Sequence, residues 1–170
     1  MNYVIKDLNV DNAEDYARVN AKAWKESYKG IVNDEFLDLI NEEPEIQRSI
    51  SRLKSSLNDK DSKGFLLYVD NKAVGVLRVG SSREIEYKNS GELRAIYLLD
   101  VAKHKGLGKM LYERALEELR KMGYKNIIIA CLKENPSNAF YVHMGGKLVG
   151  IHPFKLSNQE LEENVYYYEI

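Results

Sequence analysis

One cysteine in 170 residues rules out an internal disulfide. That thiol, Cys131, lies in IIIACL, which reads as a buried strand, and a reducing, cytoplasmic compartment is expected. An excess of charge of one sign is also lacking. Lys and Arg number 25 against 26 Asp and Glu, and a formal net charge of −1 argues against nucleic acid or a membrane surface as partner. No apolar run could span a bilayer, and the opening residues MNYVIKDLNV carry no apolar leader segment. The three histidines, His104, His143 and His152, lack metal-ligand spacing, so no metal is expected. With no repeat, low-complexity stretch or linker, the length suits one domain over residues 1–170.

What is present is a clear succession of periods. NYVIKDL alternates as a strand does, and Asp11 with Glu14 reads as a capping box opening a helix through Ala13, Tyr16, Ala17 and Trp24. Gly30 ends it, NDEFLDLI forms a short second helix, and Ile46, Ile50, Leu53 and Leu57 mark a third. The period then changes to two. GFLLYV and KAVGVLRVG flank Asp70-Asn71 as a hairpin, and GELRAIYLL forms another strand ending at Asp100. Leu111, Ala115, Leu119 and Met122 mark a helix closed by Gly123, and NIIIACL reads as a strand covered on both faces. Asn135-Pro136 predicts an N-cap with proline at the first helical position, Gly145-Gly146 ends that helix, and KLVGIHPF and NVYYYEI are two last strands. The strand–loop–helix–strand unit from 92 to 132 implies two parallel neighbours. The fold class is therefore mixed α/β, with helices on both faces of the sheet.

The stretch VAKHKGLGKMLYERA crowds Lys103, Lys105 and Lys109 around a helix N-terminus that already carries about half a positive charge. The glycines could merely permit a tight turn, but that leaves the lysines unexplained. A dinucleotide fingerprint would need glycine where Leu111 stands and an acid ending the next strand, which ends Ala-Cys-Leu. A nucleoside-triphosphate loop would need Ser or Thr after Lys109, where Met110 stands. A pyrophosphate cradle survives: backbone N–H groups form a nest, and Gly106 and Gly108 permit close approach.

GELRAIYLLDVAKHKGLGKMLYERA followed by ENPSNAFYVHMGG resembles the GNAT superfamily of N-acetyltransferases, of bacterial small-molecule type. The family's Arg/Gln-x-x-Gly-x-Gly/Ala signature falls on Lys103-His104-Lys105-Gly106-Leu107-Gly108. Lysine replaces the usual Arg or Gln, and His104 stands where glycine is common. AWKESYKGIVNDEFLDLI resembles the substrate-side helices of bacterial members. The resemblance implies a central, mostly antiparallel sheet whose one parallel pair splays apart. It implies acetyl-CoA as cosubstrate, its diphosphate on the N–H groups from His104 to Lys109, Leu107 included. The pantetheine arm would run beside Ile96, Tyr97 and Leu98. No metal takes part.

By the same resemblance Tyr141 is the expected proton donor to the departing thiolate and Glu92 the expected general base, with water as the alternative. Asn135 would cap its helix and touch the cofactor, and Asn138 would reach the coenzyme one turn later. Trp24, Glu26 and Tyr28 are expected on the acceptor side, where aromatic rings and a carboxylate suit a cationic amine. The implied reaction is acetyl transfer to a small-molecule amine: a polyamine, an amino acid or an antibiotic amine. A non-catalytic acetyl-CoA sensor is the alternative, and a homodimer is common in the family.

Overall fold

Each period read from the sequence becomes an element, in the order expected. They are β1 (Tyr3–Asp7), α1 (Ala13–Tyr28), α2 (Asp34–Leu39), α3 (Glu43–Ser55), β2 (Ser62–Val69) and β3 (Lys72–Ser81). After these come β4 (Gly91–Leu98), α4 (Leu107–Lys121), β5 (Asn126–Leu132), α5 (Asn138–His143), β6 (Lys147–Leu156) and β7 (Gln159–Glu169). The structure, a computed structural model, describes residues 1–170. The strands form one seven-stranded sheet in the order β1-β2-β3-β4-β5-β7-β6. Only β4 and β5 run parallel, as the crossover through α4 requires.

Helices cover both faces. Leu111, Ala115 and Leu119 of α4 pack on Phe65, Leu67, Leu77, Val79, Ile127 and Ile129, and α5 joins that face through Tyr141. On the other face Tyr16, Val19 and Ala23 of α1 meet Leu66, Tyr68 and Val76. Ile46 and Ile50 of α3 then bury the back of α1 through Ala13, Ala17 and Ala21. Each fully buried Leu, Ile or Val among these contributes ~1.5–3 kcal/mol.

Two irregularities in β4 shape the cleft beside it. Its pairing with β5 extends only through Gly91–Ile127 and Glu92–Ile128, beyond which the strands part. Its register with β3 also slips by one residue. Arg78 pairs with Ala95 but Val79 with Leu93, so Arg94 is the extra residue of a bulge. A one-residue slip exchanges the faces of everything beyond it. Leu93 therefore packs under α4, whereas Tyr97 lies with the α1 cluster and Ile96 and Leu98 take the α4 side. Arg94 fixes the bulge by donating to the Ser81 carbonyl at 2.7 Å and to the Ser81 hydroxyl at 3.0 Å.

Two expected caps differ. No capping box forms at Asp11. Asn12 is the N-cap residue of α1, and its side chain instead accepts the Asn9 N–H at 2.8 Å and donates to the Asp7 carbonyl at 2.9 Å. The turn at Asn135-Pro136 precedes α5 rather than starting it; Asn135 Oδ1 accepts from the Ser137 N–H at 2.9 Å, and the helix begins at Asn138. In both places an Asx-type turn competes with the helix for the side chain.

Candidate active site

The loop between β4 and α4 builds the nest. His104 and Gly106 both take left-handed backbone, at φ 60° and 79°. The first backbone bond of α4 runs from the Met110 N–H to the Gly106 carbonyl at 3.2 Å, so the N–H groups of Leu107, Gly108 and Lys109 emerge unpaired. A Cβ built on Gly106 meets nothing within 4 Å, and one on Gly108 meets only Leu98 Cδ1 at 3.7 Å. Gly108 has ordinary helical backbone and open space before it, so the chain's own packing does not demand glycine there. A diphosphate fits this arrangement: bare N–H groups at the positive end of a helix, with a surface that a side chain would block.

The lysines divide. Lys105 is exposed, and Lys109 lies 3.8 Å from Glu113. Lys103, expected to face the anion, turns away; its Nζ donates to Asp100 Oδ1 at 2.7 Å and to Ser27 Oγ at 3.2 Å. Glu26, expected on the acceptor side, belongs to the same knot. Its carboxylate accepts the Asp100 N–H at 3.0 Å and ties α1 to the nest loop.

From the nest a cleft runs along the parted strands. Ile96, Tyr97 and Leu98 pair with Leu77, Val76 and Gly75 of β3 on one side, and on the other face the gap left by β5. Tyr141 of α5 borders the gap, 6% exposed, with its ring tilted against Tyr166 at 6.1 Å. Burial, with the nearby Cys131 and Tyr97, pushes its phenol well above the usual value, and no side chain of the protein bonds its hydroxyl. A phenol so placed remains a proton donor at neutral pH.

The two asparagines differ. Asn135 keeps its amide N–H groups free, its oxygen being used on Ser137. Asn138, expected to reach the coenzyme, has no capacity left. It donates to the carbonyls of Leu132, Lys133 and Asn135 and accepts from Asn164 and the Tyr166 hydroxyl. Its role is to lock α5 to β5 and β7.

Across the sheet, Trp24 and Tyr28 of α1 and Tyr97 of β4 form an aromatic cluster. Trp24 stands edge-on to Tyr28 at 4.8 Å, and the hydroxyls of Tyr28 and Tyr97 are 3.0 Å apart. The bulge at Arg94 is what turns Tyr97 toward this face. Beside the cluster is a groove of about 700 Å³, whose apolar lining of Ile31, Leu132, Phe154 and Leu161 is joined by Lys133, Lys155, Glu134, Glu160 and Glu162.

Glu92, expected as the general base, is paired with Arg83. It is 3% exposed and accepts the Arg83 backbone N–H at 2.8 Å, while Arg83 Nη2 reaches its other oxygen at 2.6 Å. Arg83 and a second acid on this face, Glu163, were not expected from the sequence. SSREIEYKNS reads only as a polar loop, and Glu163 lies in a charged run with no apolar period around it.

The comparisons with known proteins agree with this fold. Residues 23–146 match the family model described as Acetyltransferase (GNAT) family. An uncharacterized N-acetyltransferase of Bacillus subtilis is 26% identical over 160 residues, covering 94% of this chain and 88% of that one. A spermidine N(1)-acetyltransferase of Thermoplasma acidophilum is 23% identical over 150 residues, covering 87% and 90%. Among solved structures, PaiA N-acetyltransferase of Thermoplasma acidophilum in complex with coenzyme A superposes with a TM-score of 0.79 at 20% identity, covering 100% of both chains. An N-acetyltransferase of Staphylococcus aureus gives 0.76 at 16%, covering 99% of both. With the splayed sheet, the glycine nest and a family match spanning most of its length, the chain belongs to the GNAT acetyltransferase family.

Proposed function

We propose that the protein transfers the acetyl group of acetyl-CoA to a primary amine of a small cationic molecule, an aliphatic polyamine being the best-fitting class. The observation that carries the cosubstrate is Gly108: helical backbone, open space and unpaired N–H groups opening onto the bare edge of β4. Leu107, Gly108 and Lys109 would hold the diphosphate, with Lys105 adding charge. The Ile96–Leu98 edge would pair with the extended arm, and the free Asn135 amide would add a donor. Bound there, acetyl-CoA supplies an activated acyl carbon and a thiolate leaving group. Tyr141 is the proton donor to that thiolate.

The amine is supported by the opposite face. Aromatic rings at Trp24, Tyr28 and Tyr97 attract cations by their quadrupoles, by ~0.5–2 kcal/mol each where water is excluded. Beyond them, Arg83 neutralises Glu92 while Glu84, Glu86 and Glu163 remain, with His152 beside them. The coenzyme A bound by the PaiA structure and the spermidine specificity named for the Thermoplasma relative both support this reading. The test is acetyl-CoA-dependent thiol release across a panel of polyamines, diamines, amino acids and aminoglycosides. Turnover is expected with the polyamines. Tight acetyl-CoA binding without turnover on any amine would replace the enzyme by a sensor.

A further inference from the structure

Glu92 cannot serve as a ready base, because Arg83 and a backbone N–H already hold its oxygens. A proton must nevertheless leave the acceptor. An alkylammonium with a pKa near ~10 has no lone pair to attack with at neutral pH. The acceptor face also offers a half-buried carboxylate on β7, Glu163.

Its placement comes from register. Glu163 pairs with Leu132 of β5 and His152 of β6. Leu132 and Leu161, one pair partner and one residue two positions earlier, both pack in the cluster of Tyr28, Val32 and Leu37. Period two therefore directs Glu163 to the face of α1, beside the Trp24–Tyr28–Tyr97 rings and at the level where β4 and β5 have already parted. Unlike Glu92, it makes neither a hydrogen bond nor a salt bridge to the chain. Its neighbours act only through charge.

Resting on the acetyl-transfer reading, we propose that Glu163 is the general base that takes the proton from the acceptor ammonium. The carboxylate accepts one proton from R–NH3⁺, giving R–NH2 and a neutral acid. The amine nitrogen then bonds to the acyl carbon and the carbon–sulfur bond breaks. Tyr141 gives its hydroxyl proton to sulfur, and the second nitrogen proton restores the phenol. Glu163 returns its proton to water. Ammonium and thioester thus become amide and thiol with one proton released.

The environment tunes this acid for the task. Burial and the Glu84 carboxylate raise its pKa above the ordinary carboxylate value, with Glu92 adding and Arg83 and His152 opposing. The titratable and charged groups that act on it through space are Tyr28 on α1, Arg83 and Glu84 before β4, Glu92 on β4, His152 on β6 and, from the opposite face of β5, Cys131. His152 is itself held 3.6 Å from Glu84 and 3.9 Å from Glu86. A carboxyl raised toward neutrality is a stronger base once ionised than a solvated one.

The experiment measures kcat/KM against pH for wild type, Glu163→Gln, Glu92→Gln and Glu84→Gln, using the best amine of the panel. Acetyl-CoA affinity is measured by calorimetry, and the Glu163 carboxyl is titrated by NMR on selectively labelled protein. Glu163→Gln should lower kcat by the ~10²–10⁴-fold typical of a lost acid–base group and abolish the acidic limb. Its acetyl-CoA affinity should stay within about two-fold, since the nest is on the other side of the sheet. Glu84→Gln should move the acidic limb, and the Glu163 titration, to lower pH. Formate should restore part of the rate to Glu163→Ala. Full turnover in Glu163→Gln overturns the assignment while leaving acetyl transfer intact. So does loss of the limb in Glu92→Gln alone, or loss of coenzyme binding together with turnover in Glu163→Gln. No turnover in wild type would overturn the functional reading and this one with it.

Discussion

Tyr168 donates its hydroxyl to the backbone carbonyl of Tyr141 at 2.7 Å, across Gly146, whose N–H reaches the same oxygen at 2.9 Å. The proposed proton donor is therefore held from β7 as well as by its own helix. A Cβ on Gly146 would lie 2.5 Å from the Tyr168 oxygen, so glycine is required there by the clamp itself. Tyr168→Phe should lower stability by ~1 kcal/mol, seen as a drop in Tm, because one buried acceptor loses one of two donors. Turnover should fall less than when Tyr141 itself is changed.

Tyr141→Phe removes the proposed proton donor but keeps the ring packed on Tyr166 and Phe140. kcat should fall ~10²–10⁴-fold with KM little altered, because the lost interaction belongs to the transition state. Stopped-flow thiol release with saturating amine measures it. Undiminished kcat would leave Tyr141 a packing residue.

Gly108→Val should fold, since the backbone there is helical and the nearest atom to an added Cβ is a leucine methyl 3.7 Å away. The branched side chain would instead occupy the approach to the N–H groups. Calorimetric titration with acetyl-CoA should show at least ~10-fold weaker binding beside an unchanged far-UV spectrum. Equal affinity would mean that the diphosphate binds elsewhere.

The divided lysines give opposite expectations for two similar changes. Lys105→Gln should weaken acetyl-CoA binding and flatten its dependence on salt, because an exposed charge near the nest is screened by ions. Lys103→Gln should leave the salt slope as it is, for that ammonium is already paired with Asp100. It should cost a little stability through the lost tie to Ser27. The reverse pattern would mean that Lys103 swings to the ligand on binding.

Cys131 supplies a pH test. Burial raises its thiol from 9.0 to about 12, with Glu163 adding to the shift. Alkylation by iodoacetamide at pH 8 should therefore be slow until denaturant is added. A raised pKa means the unfolded chain ionises first. The stability this thiol contributes should be whole below pH 9 and lost as pH rises toward 12. Rapid labelling of the native protein would show the thiol to be open to water.

Much of this molecule was readable as pattern. The strand periods of GFLLYV and NIIIACL and the stripe Leu111–Ala115–Leu119 report burial directly, and alternate residues of both strands join that stripe in the packed core under α4. The nest was readable because Gly106 and Gly108 are few-purpose residues at a helix start. What escaped is whatever depends on a partner distant in sequence. The spacing of Glu92 gives no hint that Arg83 will hold it, or that Asp100 will claim both Lys103 and Glu26. The charged start of β7, QELEE, shows no apolar period because β6 and β7 run out as a largely solvent-exposed hairpin there. Glu163 was hidden in that stretch. The slip at Arg94 left no mark either, since a bulge is an agreement between two strands rather than a property of one.

That slip has a consequence for how the protein can diversify. By turning Tyr97 to one face while Ile96 and Leu98 keep the other, one unpaired residue makes β4 a wall shared by two chambers. The nest loop and α5 furnish one chamber; α1, α2 and the β6–β7 hairpin furnish the other. Substitutions that reshape the amine's chamber need not touch a single atom of the coenzyme's. With the roles proposed above, selection for a new acceptor can proceed at Trp24, Tyr28 or the hairpin without first relearning how to hold the old donor.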